Sequence, residues 1–256
     1  MIGALLGDFV GSRFESAPIK SKDFSLFTSK NSITDDSVLT IAIADSLMND
    51  TPYSQNLKAY YQLYSRAGFG ASFHIWASSD QEVPYYSFGN GSAMRVSPVG
   101  WYFDTLEEVL EQSRKSAEVT HNHPEGIKGA QAIAAAIFLS RHNLGKQDIK
   151  QEIESRFQYD LSRSLGEIRP EYEFDVTCQG SVPESIICFL ESEDVEDAIR
   201  NAVSLGGDSD TQACIAGSIA EAYYETMPQE LKKKVLNSLD SFLYQKVMDF
   251  MQTIDQ

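Results

Sequence analysis

The sequence is poor in cysteine, with only Cys178, Cys188 and Cys214 among its 256 residues. No two of them form a C-x-x-C pair, so the chain has neither the cysteine density of a disulfide-stabilised domain nor the usual spacing of a zinc site. Isolated thiols of this kind are typical of proteins kept in a reducing compartment. We therefore expect a cytoplasmic protein.

Long apolar runs are also missing. No stretch approaches the ~20 consecutive apolar residues that a membrane-spanning helix requires. The N-terminus lacks the basic region followed by a long apolar segment that marks a signal peptide. We therefore expect no membrane partner and no export signal.

Positive charge is scarce, because 21 Lys and Arg face 37 Asp and Glu, a formal net charge of −16. A surface this acidic argues against a general binder of nucleic acids or anionic membranes, which needs a basic patch. A small anionic ligand remains compatible with the sequence, provided that metal ions or helix N-termini supply a local positive field.

Sustained alternation of apolar and polar residues, the pattern of a half-buried strand, is absent as well. Apolar positions recur instead at helical spacing, and the hydrophobic content of 42 % is sufficient for a sizeable core. We predict an all-α fold of about ten or more helices. Because no linker divides the chain, we predict one compact domain over residues 1–256, and we expect a monomer.

The N-terminal stretch predicts a thin helix, because three glycines at i, i+4 and i+8 share one face. They are Gly3, Gly7 and Gly11. A second helix can approach such a face closely, and Gly217 suggests close packing in another predicted helix. Asp8 and Glu15 share a side of the first helix if it continues that far. The alternative for each carboxylate is an ordinary solvated position.

Two helix starts are rich in oxygen ligands. The first reads Thr34-Asp35-Asp36-Ser37 and the second reads Gly206-Gly207-Asp208-Ser209-Asp210-Thr211. Such hard ligands suit magnesium, and two clusters can hold two cations about 3.5–4 Å apart. An EF-hand loop is excluded. Counted from Asp208, its sixth and twelfth positions would be Ala213 and Ile219, where that loop needs Gly and Glu. The alternative is two ordinary helix caps.

A glycine-rich turn precedes another predicted helix. The turn Gly89-Asn90-Gly91-Ser92 can expose successive backbone N–H groups to phosphate oxygens, although it is neither a P-loop nor a dinucleotide motif. An ordinary turn is the alternative. His121 and His123 lie two residues apart, which is not the spacing of a helical zinc pair, and loop or cap hydrogen bonding would also explain them.

Five of these stretches together resemble the ADP-ribosylglycohydrolase family, the group of dinitrogenase-reductase-activating glycohydrolase and its relatives. They are Gly3–Asp8 with Gly11 and Glu15, Thr34–Ser37, Phe88–Arg95, Thr120–Gly126, and Gly206–Thr211. Each motif is short, but their order and spacing are specific and cover nearly the whole chain. The run from Gly68 to Trp76 is similar to the bacterial branch. One departure is Ser37, where the family usually has a second threonine.

The resemblance implies an all-α fold around two divalent cations, Mg²⁺ or Mn²⁺. It implies a hydrolase that removes ADP-ribose from a modified side chain by cleaving the bond at the anomeric carbon of the distal ribose. The implied metal ligands are Thr34, Asp35, Asp36, Asp208, Asp210 and Thr211. The implied substrate-binding residues are Gly89, Asn90, Gly91, Ser92, Met94 and His121. Glu15 and Asp36 are the two candidates for proton transfer.

The resemblance of the Trp76 region to the bacterial branch favours an arginine linkage, and Asp80 or Glu82 could face the guanidinium. Solvated loop acids are the alternative for these two residues. Serine-linked, nucleic-acid-linked and O-acyl-ADP-ribose stay open, so the partner is an ADP-ribosylated protein or a small ADP-ribose compound. The competing functions are a dimetal nucleotide phosphohydrolase and a non-catalytic ADP-ribose-binding protein.

Overall fold

A computed structural model describes residues 1–255 and confirms the all-α prediction, with fifteen helices in that range. They are α1 (Ile2–Gly11), α2 (Asp35–Asn49), α3 (Tyr53–Leu63), α4 (Ala71–Ser78), α5 (Gly91–Met94), α6 (Ser97–Tyr102), α7 (Leu106–Glu118), α8 (Pro124–Arg141), α9 (Lys146–Phe157), α10 (Leu165–Ile168), α11 (Cys178–Leu190), α12 (Val195–Val203), α13 (Ser209–Tyr224), α14 (Gln229–Leu236) and α15 (Ser241–Ile254). Within the described range, the only β pairing is an isolated bridge between Gly89 and Thr177.

Capping residues stand at the starts of several helices. Asp194 caps α12 by accepting the N–H of Asp197 at 2.7 Å. His123 caps α8 by accepting the N–H of Glu125 at 3.0 Å, with Pro124 in the first turn. Helix α4 begins at Ala71, directly after the glycines of residues 68 and 70, and it buries Phe73 and Trp76 on one side.

Helix α1 ends at Gly11, so it does not continue far enough for Asp8 and Glu15 to share one of its sides. The chain leaves the helix at Ser12. Phe14 then turns into the core, where its ring lies 4.9 Å from that of Phe24. Glu15 therefore stands on a loop and is exposed.

The core is centred on α13, in which every residue from Ser209 to Ala220 is buried. Helices α1, α8, α11 and α12 pack around it, and α2 touches both α1 and α13. One continuous cluster of buried apolar side chains extends from Met1 to Phe250. No helix among residues 1–255 is long and apolar enough to cross a membrane.

The predicted thin face of α1 is confirmed at its crossing with α13. A Cβ on Gly7 would overlap the backbone of Ala213, and a Cβ on Gly3 would overlap the carbonyl of Gly217. The two helix backbones are therefore in direct contact. This contact holds Asp8 of α1 close to the N-terminal end of α13, where the second acidic cluster begins.

Candidate active site

A pocket of about 360 Å³ opens where the N-terminal ends of α2 and α13 meet the turn before α5. Most of the predicted site residues line it: Glu15, Thr34, Asp35, Asp36, Gly89, Asn90, Gly91, Met94, Asp208, Asp210 and Thr211. The fold thus brings together stretches that are far apart in the sequence. Larger cavities, of about 750, 570, 470 and 440 Å³, contain neither acidic cluster.

The first acidic cluster is held in place by Asp8, which is fully buried. Its carboxylate accepts the backbone N–H groups of Thr34 and Ser37, each at 3.1 Å. It also accepts the hydroxyl of Thr34 at 2.7 Å and the hydroxyl of Ser37. A solvated Asp8 is therefore excluded. This positioning role was missed, although a single acid inside an apolar, glycine-rich helix was a usable signal.

Thr34 combines a capping role with its place in the pocket. Its hydroxyl oxygen accepts the N–H of Asp36 at 3.2 Å while donating its proton to Asp8. One lone pair of that oxygen remains for another ligand. The capping alternative is therefore correct for Thr34, and it is compatible with a metal ligand.

The second acidic cluster is not an ordinary cap. Asp208 occupies the N-cap position of α13, but its side chain makes no capping hydrogen bond. Its carboxylate instead accepts the side-chain amide of Asn90 at 2.7 Å. The same amide donates to Ser181 at 3.2 Å, which ties the glycine-rich turn to the cluster. The helix-cap explanation is thus wrong for Asp208.

The carboxylates of the pocket are crowded and lack cationic partners. Glu15, Asp208 and Asp210 each offer an oxygen within 4.8 Å of the others. The buried Oδ1 of Asp36 has no hydrogen-bond partner among the described residues. No Lys or Arg lines the pocket. Without a cation such a cluster is costly, because burial and like charges both disfavour ionised carboxylates.

The pKa values of these acids follow from the crowding. Burial, followed by the charge of Asp8, raises the pKa of Asp35 to about 7. Burial raises the pKa of Asp36 and of Asp210 well above the usual range, and neighbouring aspartates add to the effect. Glu15 is exposed but loses part of its hydration inside the pocket mouth, and this loss, followed by the charge of Asp208, raises its pKa. An oxygen-only donor set of this kind fits Mg²⁺ or Mn²⁺.

The glycine-rich turn presents backbone donors to the pocket. The N–H of Asn90 donates to the carbonyl of Val176 at 2.8 Å, whereas no acceptor within residues 1–255 takes the N–H of Gly91 or Ser92. Two successive free N–H groups form a small anion-binding nest. The Ser92 hydroxyl points elsewhere, donating to the carbonyl of Gly126 at 2.7 Å. Ser92 can therefore serve a ligand only through its backbone.

The remaining predicted residues lie at different depths. His121 is buried behind the turn and does not line the pocket. Phe73 of α4, which was not among the predicted site residues, also lines the pocket. Asp80 and Glu82 are exposed in the segment after α4 and do not line the pocket, so the structure gives no support to their contact with a guanidinium.

The loop that carries Glu15 is fastened by basic residues that the motifs did not reveal. The ammonium group of Lys20 donates to the carbonyls of Leu205, at 2.5 Å, and Tyr172. Arg200 donates to the carbonyls of Lys22 and Phe24, both at 2.8 Å. Lys20 thereby links the Glu15 loop to the backbone just before the second acidic cluster.

The fold alone places the protein in a known class. A solved structure described as an ADP-ribosylglycohydrolase-related protein complex superimposes with a TM-score of 0.74 at 21 % identity. The similarity covers 99 % of this chain and 97 % of that chain. The protein therefore has the same all-α fold as that complex.

The family follows from the sequence comparison. The family model described as ADP-ribosylglycohydrolase matches residues 1–255, and the chain belongs to this family. The ADP-ribosylhydrolase ARH3 of Danio rerio is 28 % identical, with 88 % of this chain and 81 % of the relative covered. The human ARH3 is 26 % identical, with coverage of 88 % and 84 %. The ADP-ribosylarginine hydrolase Tri1 of Pseudomonas putida is 23 % identical, with coverage of 92 % and 72 %.

Family membership over the full described range confirms the resemblance inferred from the five motifs. It also confirms that the chain is an enzyme, a hydrolase of the ADP-ribosylglycohydrolase class. The non-catalytic alternative is therefore not favoured.

Proposed function

We propose that the enzyme removes ADP-ribose from modified arginine side chains and that it requires two divalent cations. The observation that carries this proposal is the set of buried carboxylates without cationic partners, which faces a turn with free backbone N–H groups. One side of the pocket suits cations and the other suits phosphate oxygens. A substrate that joins a ribose diol to a diphosphate has both chemistries.

The proposed ligands of Mg²⁺ or Mn²⁺ are the six oxygen-bearing residues of the two clusters. They are Thr34, Asp35, Asp36, Asp208, Asp210 and Thr211, all of which line the pocket. The unpartnered oxygen of Asp36 supports this assignment, because a buried carboxylate oxygen needs a cation or a donor. When bound, the cations would supply Lewis-acid chemistry that orients ribose hydroxyls and polarises water.

We propose Glu15 as the residue that transfers the proton. It is the exposed member of the acidic group, so it can exchange protons with solvent, whereas Asp36 is buried. Its raised pKa moves it toward the range in which a carboxylate serves as general acid or base near neutral pH. Such assistance typically contributes ~10²–10⁴-fold to the rate of a step that passes through an oxocarbenium-like state.

The preference for arginine rests on charge. Five carboxylates line the pocket, namely Glu15, Asp35, Asp36, Asp208 and Asp210. Two divalent cations neutralise four of these charges and leave a net negative site next to the leaving group. A cationic guanidinium is favoured there over a neutral serine hydroxyl. The name of the relative Tri1 is consistent with this choice.

A substrate panel tests the proposal. We expect intact ADP-ribose to be released from an arginine-linked substrate, with little release from serine-linked, nucleic-acid-linked or O-acyl-ADP-ribose. EDTA should abolish turnover, and added Mg²⁺ or Mn²⁺ should restore it. Release of AMP or phosphate would instead indicate a phosphohydrolase. Preferred cleavage of another linkage would refute the arginine assignment but leave the enzyme class intact.

Gly91→Val is expected to weaken ADP-ribose binding by about tenfold or more, because the side chain fills the space that phosphate oxygens would occupy. A Cβ at this position would already lie 3.1 Å from Nε2 of His121. Calorimetry with ADP-ribose and with Mn²⁺ measures the two affinities separately, and the affinity for Mn²⁺ should be unchanged.

Gly145→Val is the matched control, because Gly145 lies outside the pocket and a Cβ there meets only a carboxylate oxygen of Asp148 at 3.5 Å. Equal ADP-ribose affinity in the Gly91 variant and in this control would count against a phosphate-binding turn.

A further inference from the structure

We propose that Arg95 and Thr120 fix His121 in the tautomer that carries its proton on Nε2, so that a neutral N–H group donates to a phosphate oxygen at the Gly89–Gly91 turn. Arg95 and Thr120 are then positioning residues for the proposed reaction. The identity of the acceptor rests on the proposed function. The tautomer rests on the hydrogen bonds described next.

Arg95 is a buried cation without a carboxylate partner. It follows α5 directly, and its side chain is completely inaccessible to solvent. Its Nη2 donates to the carbonyl of Ser116 and to the hydroxyl of Thr120, each at 2.8 Å. Its Nε and Nη1 have no partner in the part of the chain that the structure describes. Such a group is expensive to bury, so its retention behind the ligand turn calls for an explanation.

The hydroxyl of Thr120 connects Arg95 to His121 through two hydrogen bonds. A guanidinium is only a donor, so the Thr120 oxygen must accept this hydrogen bond. Two further groups lie beside that oxygen: Nδ1 of His121, at 2.7 Å, and the hydroxyl of Tyr85, which can donate its own proton to the second lone pair of the oxygen. The buried hydroxyl proton needs an acceptor, and Nδ1 can provide it. If Nδ1 accepts, the proton of the neutral imidazole lies on Nε2.

The electrostatic environment keeps the ring neutral. Burial, together with the positive charge of Arg95, lowers the pKa of His121 well below its usual range. The nearest ring is that of Tyr85, which is edge-on at 5.7 Å and lines the pocket. A neutral ring with a fixed tautomer is a hydrogen-bond donor at one nitrogen only.

That donor faces the turn. A Cβ added to Gly91 would lie 3.1 Å from Nε2 of His121, and one added to Gly89 would lie 3.6 Å from it. Both glycines line the pocket. No hydrogen bond from Nε2 to residues 1–255 is present, so the N–H is available to a bound anion. Because neither glycine has a side chain, a bound anion can approach the imidazole closely enough for a hydrogen bond.

Nitrogen-15 NMR of the ligand-free protein tests the tautomer directly. The chain has four histidines, so ¹⁵N-histidine labelling gives few signals, and the spectrum of a His121→Gln variant assigns those of His121. At neutral pH we expect a protonated Nε2 and an unprotonated Nδ1. A protonated Nδ1 would overturn the proposal.

Ligand affinity tests the consequence. Thr120→Val removes the hydroxyl at nearly constant volume, and we expect the Kd for ADP-ribose to rise about tenfold, as for the loss of one hydrogen bond to a charged group. Thr120→Ser keeps the hydroxyl and should rescue both the affinity and the Nε2–H signal. Unchanged affinity in Thr120→Val would overturn the proposed donation, even if the tautomer is as expected.

The two proposals fail in different ways. If the wild-type protein neither binds ADP-ribose nor releases it from any substrate, the proposed function fails, and donation to a phosphate fails with it. The tautomer measurement needs no ligand and does not require the Thr120→Val variant to fold. A normal turnover combined with a protonated Nδ1 would overturn this inference while leaving the proposed function standing.

Discussion

Asp208→Asn is expected to lower the rate of ADP-ribose release by on the order of 10³-fold or more, because a bound divalent cation contributes several kcal/mol of transition-state stabilisation. The change removes one charge at nearly constant shape. An asparagine oxygen can still accept the hydrogen bond that Asn90 now donates at 2.7 Å. Steady-state kinetics with excess Mg²⁺ or Mn²⁺ would measure the loss of turnover. Calorimetric titration of Mn²⁺ would measure the accompanying loss of metal affinity.

The stability of this variant separates a ligand role from a structural role. Asp208 lies in a cluster of buried carboxylates that repel each other, and burial raises its own pKa. Removing one charge should therefore leave the metal-free protein as stable as before, or more stable. A structural aspartate would show the opposite. Full turnover by the metal-replete variant would refute the ligand assignment.

Asp249→Asn is the matched control for that experiment. Asp249 is exposed on α15 and accepts a hydrogen bond from Gln245, far from the pocket lining. The same loss of charge there should change neither turnover nor Mn²⁺ affinity. A comparable fall in both variants would point to the overall charge of this acidic protein rather than to the site.

The helix starts and the glycine-rich turn of the site could be predicted, because each depends on a few residues that are adjacent in the sequence. Thr34 and Asp208 each stand at the start of an apolar helix, and the start of a helix can be predicted from a few neighbouring residues. The turn Gly89–Ser92 is equally local. The side chains that connect these motifs were not predictable, because the partners of Asp8 and Lys20 lie 26 and 185 residues away.

Arg95 illustrates the same limit. It stands inside a motif recognised from the sequence, yet its role depends on Thr120, 25 residues later. Sequence periodicity also could not reveal α10, because a helix of four residues makes barely one turn.

Gly7→Ala is expected to cause the largest loss of stability, about 3 kcal/mol in the free energy of unfolding. The added Cβ would overlap the backbone of Ala213 at the crossing of α1 and α13. A backbone cannot rotate away as a flexible side chain can, so the two helices must separate. The better helix propensity of alanine offsets this loss of stability by only about 1 kcal/mol. Urea denaturation followed by circular dichroism measures the net change.

Gly70→Ala makes the same chemical change with the opposite expected sign. No atom lies within 4 Å of a Cβ at Gly70, and its φ of −58° suits an alanine. Because alanine restricts the unfolded chain, this variant should be stabilised by about 0.4–1 kcal/mol. Equal unfolding free energies for the two variants would show that the crossing tolerates separation.

Gly7→Ala also tests how the helix crossing supports the site. Gly7 precedes Asp8, which holds the backbone of Thr34 and Ser37 at 3.1 Å. If α1 moves away from α13, the first acidic cluster moves relative to Asp208 and Asp210 on the second. Mn²⁺ affinity should therefore fall in the folded Gly7→Ala protein, measured well below its denaturation midpoint. It should stay unchanged in Gly145→Ala, because Gly145 lies outside the pocket, whereas Gly70 lines it. A destabilised variant with normal Mn²⁺ affinity would mean that the two clusters are held together by α2 and the Asn90 turn rather than by the glycine face of α1.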